Sequence, residues 1–524
     1  MSIKHKIVIL FSFVGLMILV SIYTFSNVLA REYNRLNSDA LVTPNSGDAY
    51  SENIYLPLVL GSEGTDPLPN PSLTPSHTPT LTPNSTPSPP PSTATHSPKV
   101  NAPHFDGEDN FSERAIFWFG QVNTTDNYTD VRVGYTEKEL LVHLSVFDRL
   151  LWYNPTPSSD DLSSWDAVEL YINLGGNNGN SPGISSYRFV RQLNWWEESE
   201  KWQAGYQGNG TSWVISPISF TTASGWRGNA PNDNTDDRGW SIGFKIPFTN
   251  LGLASPPDQG SVWGLALVLH DRDNASGSPI ADKSWPEEIN ILSPETWGQL
   301  SFGLSNFSPP DVSHEGITSI RHKLNGANVP DAHVGGHTVC GQDYSPDFFD
   351  GWGDVNYAGS EQINIQNQSD VADWPCYSKY YVTFPLDSIP NDIEIISATL
   401  TLHLFGNAGG GSWGDAPDSL IQVLTVAEDW NEATLTWNNA PLAMENVNRT
   451  WVYPIDEFPG WPGVPYEWDV SKAVAESYAL GEPLRLALYS ADSGQHSGKY
   501  FVSSDTGDWN EVGRPLLEVH WGRP

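Results

Sequence analysis

Methionine and cysteine are almost missing from this chain: its 524 residues include 3 Met and 2 Cys. Cations are scarce as well, with 26 Lys and Arg against 62 Asp and Glu, a formal net charge of −36. Phosphate polymers would be repelled by such a surface, which argues against nucleic acid as a partner. Strongly anionic polysaccharides are disfavoured on the same ground unless a cation bridges the contact, so a neutral or weakly charged glycan fits better. Much of this acidity simply keeps a protein soluble. Catalytic signatures are missing too: there is no HExxH, no GxSxG, no P-loop and no setting for a cysteine nucleophile. The adjacent pairs Glu197–Glu198 and Glu287–Glu288 do not by themselves set the spacing across a glycosidic bond that hydrolysis needs. The two cysteines, Cys340 and Cys376, lack CxxC spacing and neighbouring ligands, so one disulfide is expected rather than a metal or redox pair. Its closed loop would stabilise the fold by roughly 3–4 kcal/mol on the chain-entropy model.

What the chain has in quantity is aromatic residues and turn formers: 22 Trp, 20 Tyr and 20 Phe beside 45 Gly and 41 Pro. Only 17% of residues are charged. This is the composition of short strands joined by many turns, an all-β protein, and the length allows two or three domains.

Residues 1–30 read as a signal peptide or a signal anchor. Lys4 and Lys6 precede an apolar run from Ile7 to about Ile22, and Val28-Leu29-Ala30 offers a cleavage site. The run is longer than the ~7–15 residues of a usual signal core, so membrane anchoring stays open. Either outcome places the rest outside the cytoplasm, secreted or held at the cell surface. Residues 31–101 form a Thr/Ser/Pro-rich disordered linker, most repetitive in TPSHTPTLTPNSTPSPPPSTATHSP. Such a segment cannot bury a core, and its prolines favour an extended spacer.

Two strand-rich regions follow, 102–304 and 314–524, joined by a linker at 305–313. Strands alternate at Val131–Tyr135, Leu140–Val146, Ala167–Ile172, Trp240–Ile246 and Val262–Val268, then at Tyr380–Phe384, Ala398–Leu404, Leu420–Leu424 and Leu484–Tyr489. One short helix is expected at Val470–Tyr478, ended by Gly481. The predicted fold is two antiparallel β-sandwiches, jelly-roll-like, behind the disordered stalk.

The order of motifs in the first region is FDGED at 105–109, VRVGYTEKELLVHLSVFD ending at Asp148, WDAVELYINL at 165–174, WSIGFKIPF, VWGLALVLHDRD ending at Asp273, and ETWGQLSFG at 295–303. This order resembles family 9 carbohydrate-binding modules of the DOMON-like superfamily. The second region carries DWNEATLTWNNAP at 429–441, WDVSKAV at 468–474 and YFVSSDTGDWNEVGRPLLEVHW at 500–521. These resemble the DNRLRE domain, related to family 96 carbohydrate-binding modules, some of which bind alginate.

The first resemblance implies structural calcium and sugar held between aromatic rings. Asp148, Asp166 and Glu169 stand where that pattern has acidic residues, and Asp271 and Asp273 add hard oxygen donors. Asp160, Asp161 and the NDNTDD run at 232–237 are further loop donors, although turn formation explains most such clusters. Trp165 lies near one sandwiching position, while Ile291 and Leu292 fall at the other. Trp152, Tyr153 and Trp285 offer a different platform, and Trp195, Trp196 and Trp202 alternate with acids in NWWEESEKW. For any one of these rings a core position is the simpler reading. DOMON relatives can also hold haem through Met and His, but Met1, Met17 and Met444 all lie outside 102–304, and His143 and His270 read as strand positions. Together these features point to an exported protein that holds polysaccharide without catalysis of its own. A surface adhesin or scaffold that binds protein, and a divergent polysaccharide-degrading enzyme, are the alternatives; the oligomeric state is open.

Overall fold

The computed structural model describes residues 97–194, 199–276, 279–338, 348–369, 371, 376–410 and 414–524. Across these residues run 24 strands, short 3-10 turns and an α-helix at Ser471–Leu480. The all-β expectation is borne out. The helix closes on Gly481, whose φ of 71° is the left-handed geometry that ends a helix without a Cβ clash. The expected signal or anchor and most of the stalk lie outside the described residues.

Alternation becomes burial where it was read. In the strand Glu394–Asn407, Ala398, Leu400, Leu402 and Leu404 point into a core while Thr399 and Thr401 stay half-exposed. The strands assemble into three sheets. A five-stranded sheet orders Ala115–Gly120, Tyr128–Tyr135, Glu139–Phe147, Asp237–Pro247 and Thr221–Gly228. A six-stranded sheet is built from Ser313–Arg321, Leu516–Arg523, Glu394–Asn407, Lys499–Val502 and Gln362–Ile365, with Val464–Asp469 on the side. The third sheet has 13 strands and runs through both regions of the chain.

The join in that long sheet is the strand Lys99–Ala102. It pairs in parallel with Gly298–Phe302 on one side and meets Ala443–Val452 through Lys99 and Glu445 on the other. Asn101 and Asn446 complete the seam, each side-chain amide donating to the other's backbone carbonyl, at 2.8 and 3.0 Å. Residues 99–101 were expected to be linker; the backbone groups of Gly298–Phe302 need a neighbour, and these residues supply it.

Each half of the long sheet packs on its own partner. The five-stranded sheet covers one half around Phe117, Val142, Phe244 and Leu267. The six-stranded sheet covers the other around Leu400, Leu486, Phe501 and Leu517. A third core lies between the two regions: Ile116, Trp118, Tyr128 and Phe147 pack against Tyr381, Leu424, Trp437 and Tyr489. The five-stranded sheet is thus covered on both faces over part of its area, and all eight residues of Tyr128–Tyr135 are buried. Within this core Lys379 is 1% exposed. Its Nζ lies 3.6 Å from the Trp437 ring centroid, 4.4 Å from Trp118 and 4.9 Å from Tyr128. Burial pushes its ammonium well below the usual lysine range, opposed by the nearby Asp130.

Candidate functional site

Three strand ends converge in the first region. Asp148 follows Glu139–Phe147, Asp166 precedes Ala167–Asn173, and Asp271 follows Val262–His270. A carboxylate oxygen from each lies within 4.8 Å of the other two. All three are buried, at 1%, 0% and 5% exposure. Asp166 is fixed by two backbone donors, the amides of Trp152 at 2.5 Å and Arg272 at 2.8 Å. Asp148 Oδ1 accepts from the Leu150 amide at 3.1 Å. Asp148 Oδ2 and Asp271 Oδ1 are buried with no partner. Burial raises all three carboxyls; the neighbouring aspartates add to this at Asp148 and Asp166, and Asp273 and Asp126 add to it at Asp271, which is pushed up to about 8. Three buried carboxylates this close, two of them with an orphaned oxygen, are a group that could hold a hard divalent cation.

Asp273 stands at the edge of this group. It is half-buried, and its charge helps to raise Asp148 and Asp271. Glu169, expected among the ligands, is not in the cluster. The Arg188 guanidinium grips it through two nitrogens, and His270 lies 3.2 Å from it. Burial alone would raise Glu169, but the His270 and Arg188 contacts hold it at about 2. His270, although buried, is raised to about 9 by Asp282 and Glu169, so the pair is ionic. A carboxylate already neutralised this way has no charge to offer a metal. The other acidic loops serve turns: Asp161 accepts from the Ser158 amide and Asp233 from the Thr235 amide.

Most of the aromatic candidates are structural. Trp202 and Trp285 are core residues, 1% and 2% exposed. The Trp202 indole donates to the Asn154 carbonyl at 2.9 Å, and Trp285 packs 4.3 Å from Phe117. Neither presents a ring face to a sugar: Trp285 is not the platform residue it was expected to be, and Trp202 takes the core position that is the simpler reading of a single ring. Trp152 and Tyr153 are each 8% exposed, and their backbone amides tie the loop to Asp166 and Asn232. Trp165 is half-buried beside Asp166. Ile291 and Leu292 stand exposed. Trp195 and Trp196 lie outside the described residues.

The exposed rings are elsewhere, at positions the composition did not single out. Phe458 is 49% exposed, Trp461 37% and Trp509 60%. Trp461 meets Phe458 at 5.1 Å and 70°, and Trp509 at 5.1 Å and 79°. Phe405 lies 5.6 Å behind Trp461, with Tyr500 6.5 Å beyond. The backbone explains the arrangement. Gly460 and Gly463, at φ of 82° and 106°, bracket Trp461, and the Gly463 amide closes the turn on Gly460 at 3.0 Å. A Cβ on Gly463 would stand 2.7 Å from the Leu404 carbonyl. Trp509 folds back over Gly507, where a Cβ would meet its ring at 2.8 Å. The FPGWPG and DTGDWN runs were the readable signals: a Trp flanked by glycines in a loop has no strand to hide it.

Three large exposed rings, with Trp461 in contact with both Phe458 and Trp509, form an apolar patch, and the exposed Asp456 and Glu457 directly precede Phe458. That chemistry suits the C–H faces and hydroxyls of a sugar. Residues 350–513 match the model of carbohydrate-binding module family 96. All five rings fall within this span, so the family 96 resemblance is borne out over the segment that carries the patch. No curated protein matches the chain. Among solved structures the chain is similar to a family 9 carbohydrate-binding module from Caldicellulosiruptor kristjanssonii in complex with cellotriose, at 16% identity and a TM-score of 0.29, over 41% of this chain and 98% of that one. It is also similar to a family 9 module from the same organism in complex with glucose, at 15% identity and a TM-score of 0.27, over 40% and 98%.

Proposed function

We propose that this chain is an exported carbohydrate-binding protein that holds polysaccharide at or near the cell surface through the Phe458–Trp461–Trp509 patch. The observation that carries the reading is the contact of three exposed rings inside the segment that matches family 96. Export is supported by Lys4, Lys6 and the apolar run that follows them; whether that run is cleaved decides between secretion and anchoring. Calcium is the proposed ion at Asp148, Asp166 and Asp271, supported by three buried hard donors and two orphaned oxygens, with Asp273 adding charge. Its role is to brace three strand ends, far more than to touch sugar. A Cys340–Cys376 disulfide is proposed as well: Cys376 is 4% exposed and not a free thiol. Cys340 itself lies outside the described residues.

The test is retention of the full chain in gels that contain neutral plant polysaccharides. Retardation by at least one polymer is expected, and Trp461→Ala should abolish it while leaving the far-UV spectrum intact. Unchanged retardation in that variant would remove the patch from the binding surface.

A further inference from the structure

The ring angles say which form of saccharide the patch takes. A crystalline polysaccharide face is flat, and a protein grips it with rings that share one plane. Here no such plane exists. Trp461 stands at 70° to Phe458 and 79° to Trp509, with centroids only 5.1 Å away in both cases, so the three rings meet edge to face. Phe405 behind them is turned by 42°. Two neighbouring faces at nearly right angles make a corner. A corner can hold one pyranose by its face on one ring and by its edge on the next, but only if the chain stands free of its neighbours.

The backbone beneath the corner is tightly seated. Trp461 sits between Gly460 and Gly463, and the Gly463 backbone is pressed against the Leu404 carbonyl. Trp509 is folded over Gly507 in the short helix Asp508–Gly513. That helix is tied down by Asp508, which binds both Lys323 and Arg514, at 2.9 and 2.6 Å. These contacts fix the backbone from which both indoles project.

The charges set the second property of the ligand. Asp456 and Glu457 are exposed directly before Phe458, and Glu511 is exposed in the turn that carries Trp509. The cations Lys323 and Arg514 are both engaged by Asp508. A carboxylate-bearing sugar brought to the corner would face this acidic rim, whereas neutral hydroxyls would find acceptors in it.

The geometry points to a neutral saccharide presented as a free single chain or chain end, and not to a crystalline surface or a polyuronate, as the ligand of the Phe458–Trp461–Trp509 corner. The inference rests on the carbohydrate-binding reading and narrows it. The test uses the full chain with five probes and a buffer blank: soluble cellohexaose, xylohexaose, mannohexaose and hexagalacturonate, and microcrystalline cellulose. Calorimetry should show binding of at least one neutral hexaose, weakened tenfold or more in Trp461→Ala and in Trp509→Ala, with no depletion of the protein by microcrystalline cellulose. Depletion by cellulose that disappears in Trp461→Ala would overturn the free-chain claim and leave carbohydrate binding standing. Hexagalacturonate binding tighter than any neutral hexaose and lost in Trp461→Ala would overturn neutrality alone. Saccharide binding that ignores both substitutions, or no binding to any probe, would sink the parent reading together with this one.

Discussion

At the scale of single residues, the chain sets two groups of buried charge side by side and settles them differently. Glu169 and His270 neutralise each other, whereas Asp148, Asp166 and Asp271 have only backbone donors and one another. Without a cation, Asp271 is raised from 3.8 to about 8. A carboxyl raised on folding contributes stability that is complete below its unfolded value and lost as pH rises through its folded value. The cation-free protein should therefore weaken between about pH 4 and 8, and a bound cation should restore it. Chelator is expected to lower Tm by several degrees at pH 8 and by much less at pH 5, where protons compete for the same oxygens. Scanning calorimetry with and without EDTA at both values checks this; an equal shift, or none, would dissociate these residues from metal. His270 has the same sign, since its value rises from 6.5 to about 9. Its contribution is complete below 6.5 and lost as pH passes 9, so His270→Gln should flatten the fall in Tm between pH 7.5 and 9.5. Part of this was legible: Asp148 and Asp166 were named from the resemblance's pattern, and Asp271 as a loop donor. Glu169 was misassigned because a motif fixes an acidic residue's place on a strand, but not the arginine that a neighbouring strand brings opposite it. Arg188 lies across the Tyr171 register position, two residues on.

At the scale of elements, alternation was a good guide wherever a strand buries one face. It failed to say which aromatics stay outside, because the buried Trp202 and Trp285 end a 3-10 turn and a three-residue strand, while the exposed Trp461 and Trp509 lie in a turn and a 3-10 helix. What differs is the backbone beneath them. Trp285 lies over Gly298, where a Cβ would come within 2.7 Å of its ring, so the missing side chain makes the hole it fills. Gly463 instead presses backbone on backbone and turns the chain outward. Gly463→Ala combines a left-handed φ of 106° with a Cβ 2.7 Å from the Leu404 carbonyl. It should cost on the order of 1–3 kcal/mol of strain, relieved by displacing the loop. The expected outcome is loss of carbohydrate retention similar to that of Trp461→Ala, with the global fold retained. Gly410→Ala is the control: its φ of 95° carries similar strain, but a Cβ there meets nothing within 4 Å and it lies outside the ring cluster. Retention unchanged by Gly463→Ala would show that the corner does not depend on its seat.

At the scale of the molecule, the sequence reads as two modules in series, while both strand-rich regions fall within one compact unit. Charge and composition cannot reveal this, because a buried module interface uses the same residues as a module core. The clue would have been in strands such as Tyr128–Tyr135, whose outward positions hold Tyr128, Asp130 and Arg132, each large and each buried. Arg132 donates to the carbonyls of Gln368 and Ala491, and Asp130 accepts from Tyr489, so the first region's polar groups are satisfied by the second. Cutting at the 305–313 linker would expose Ile116, Trp118 and Phe147 and leave Asp130 and Arg132 without those partners. Residues 97–304 alone should therefore aggregate or melt well below the intact protein, even though their own sandwich core is complete. Trp118→Ala tests the same interface without a cut. Removing a fully buried indole costs about 3–5 kcal/mol, and Trp118 belongs to one region by sequence yet packs 5.6 Å from Tyr489 of the other. If the body unfolds as a unit, calorimetry will show a single transition displaced downward. Two transitions, with only the first region's shifted, would mean that the shared core adds contact without cooperativity, and the corner at Trp461 would then be indifferent to everything before residue 305.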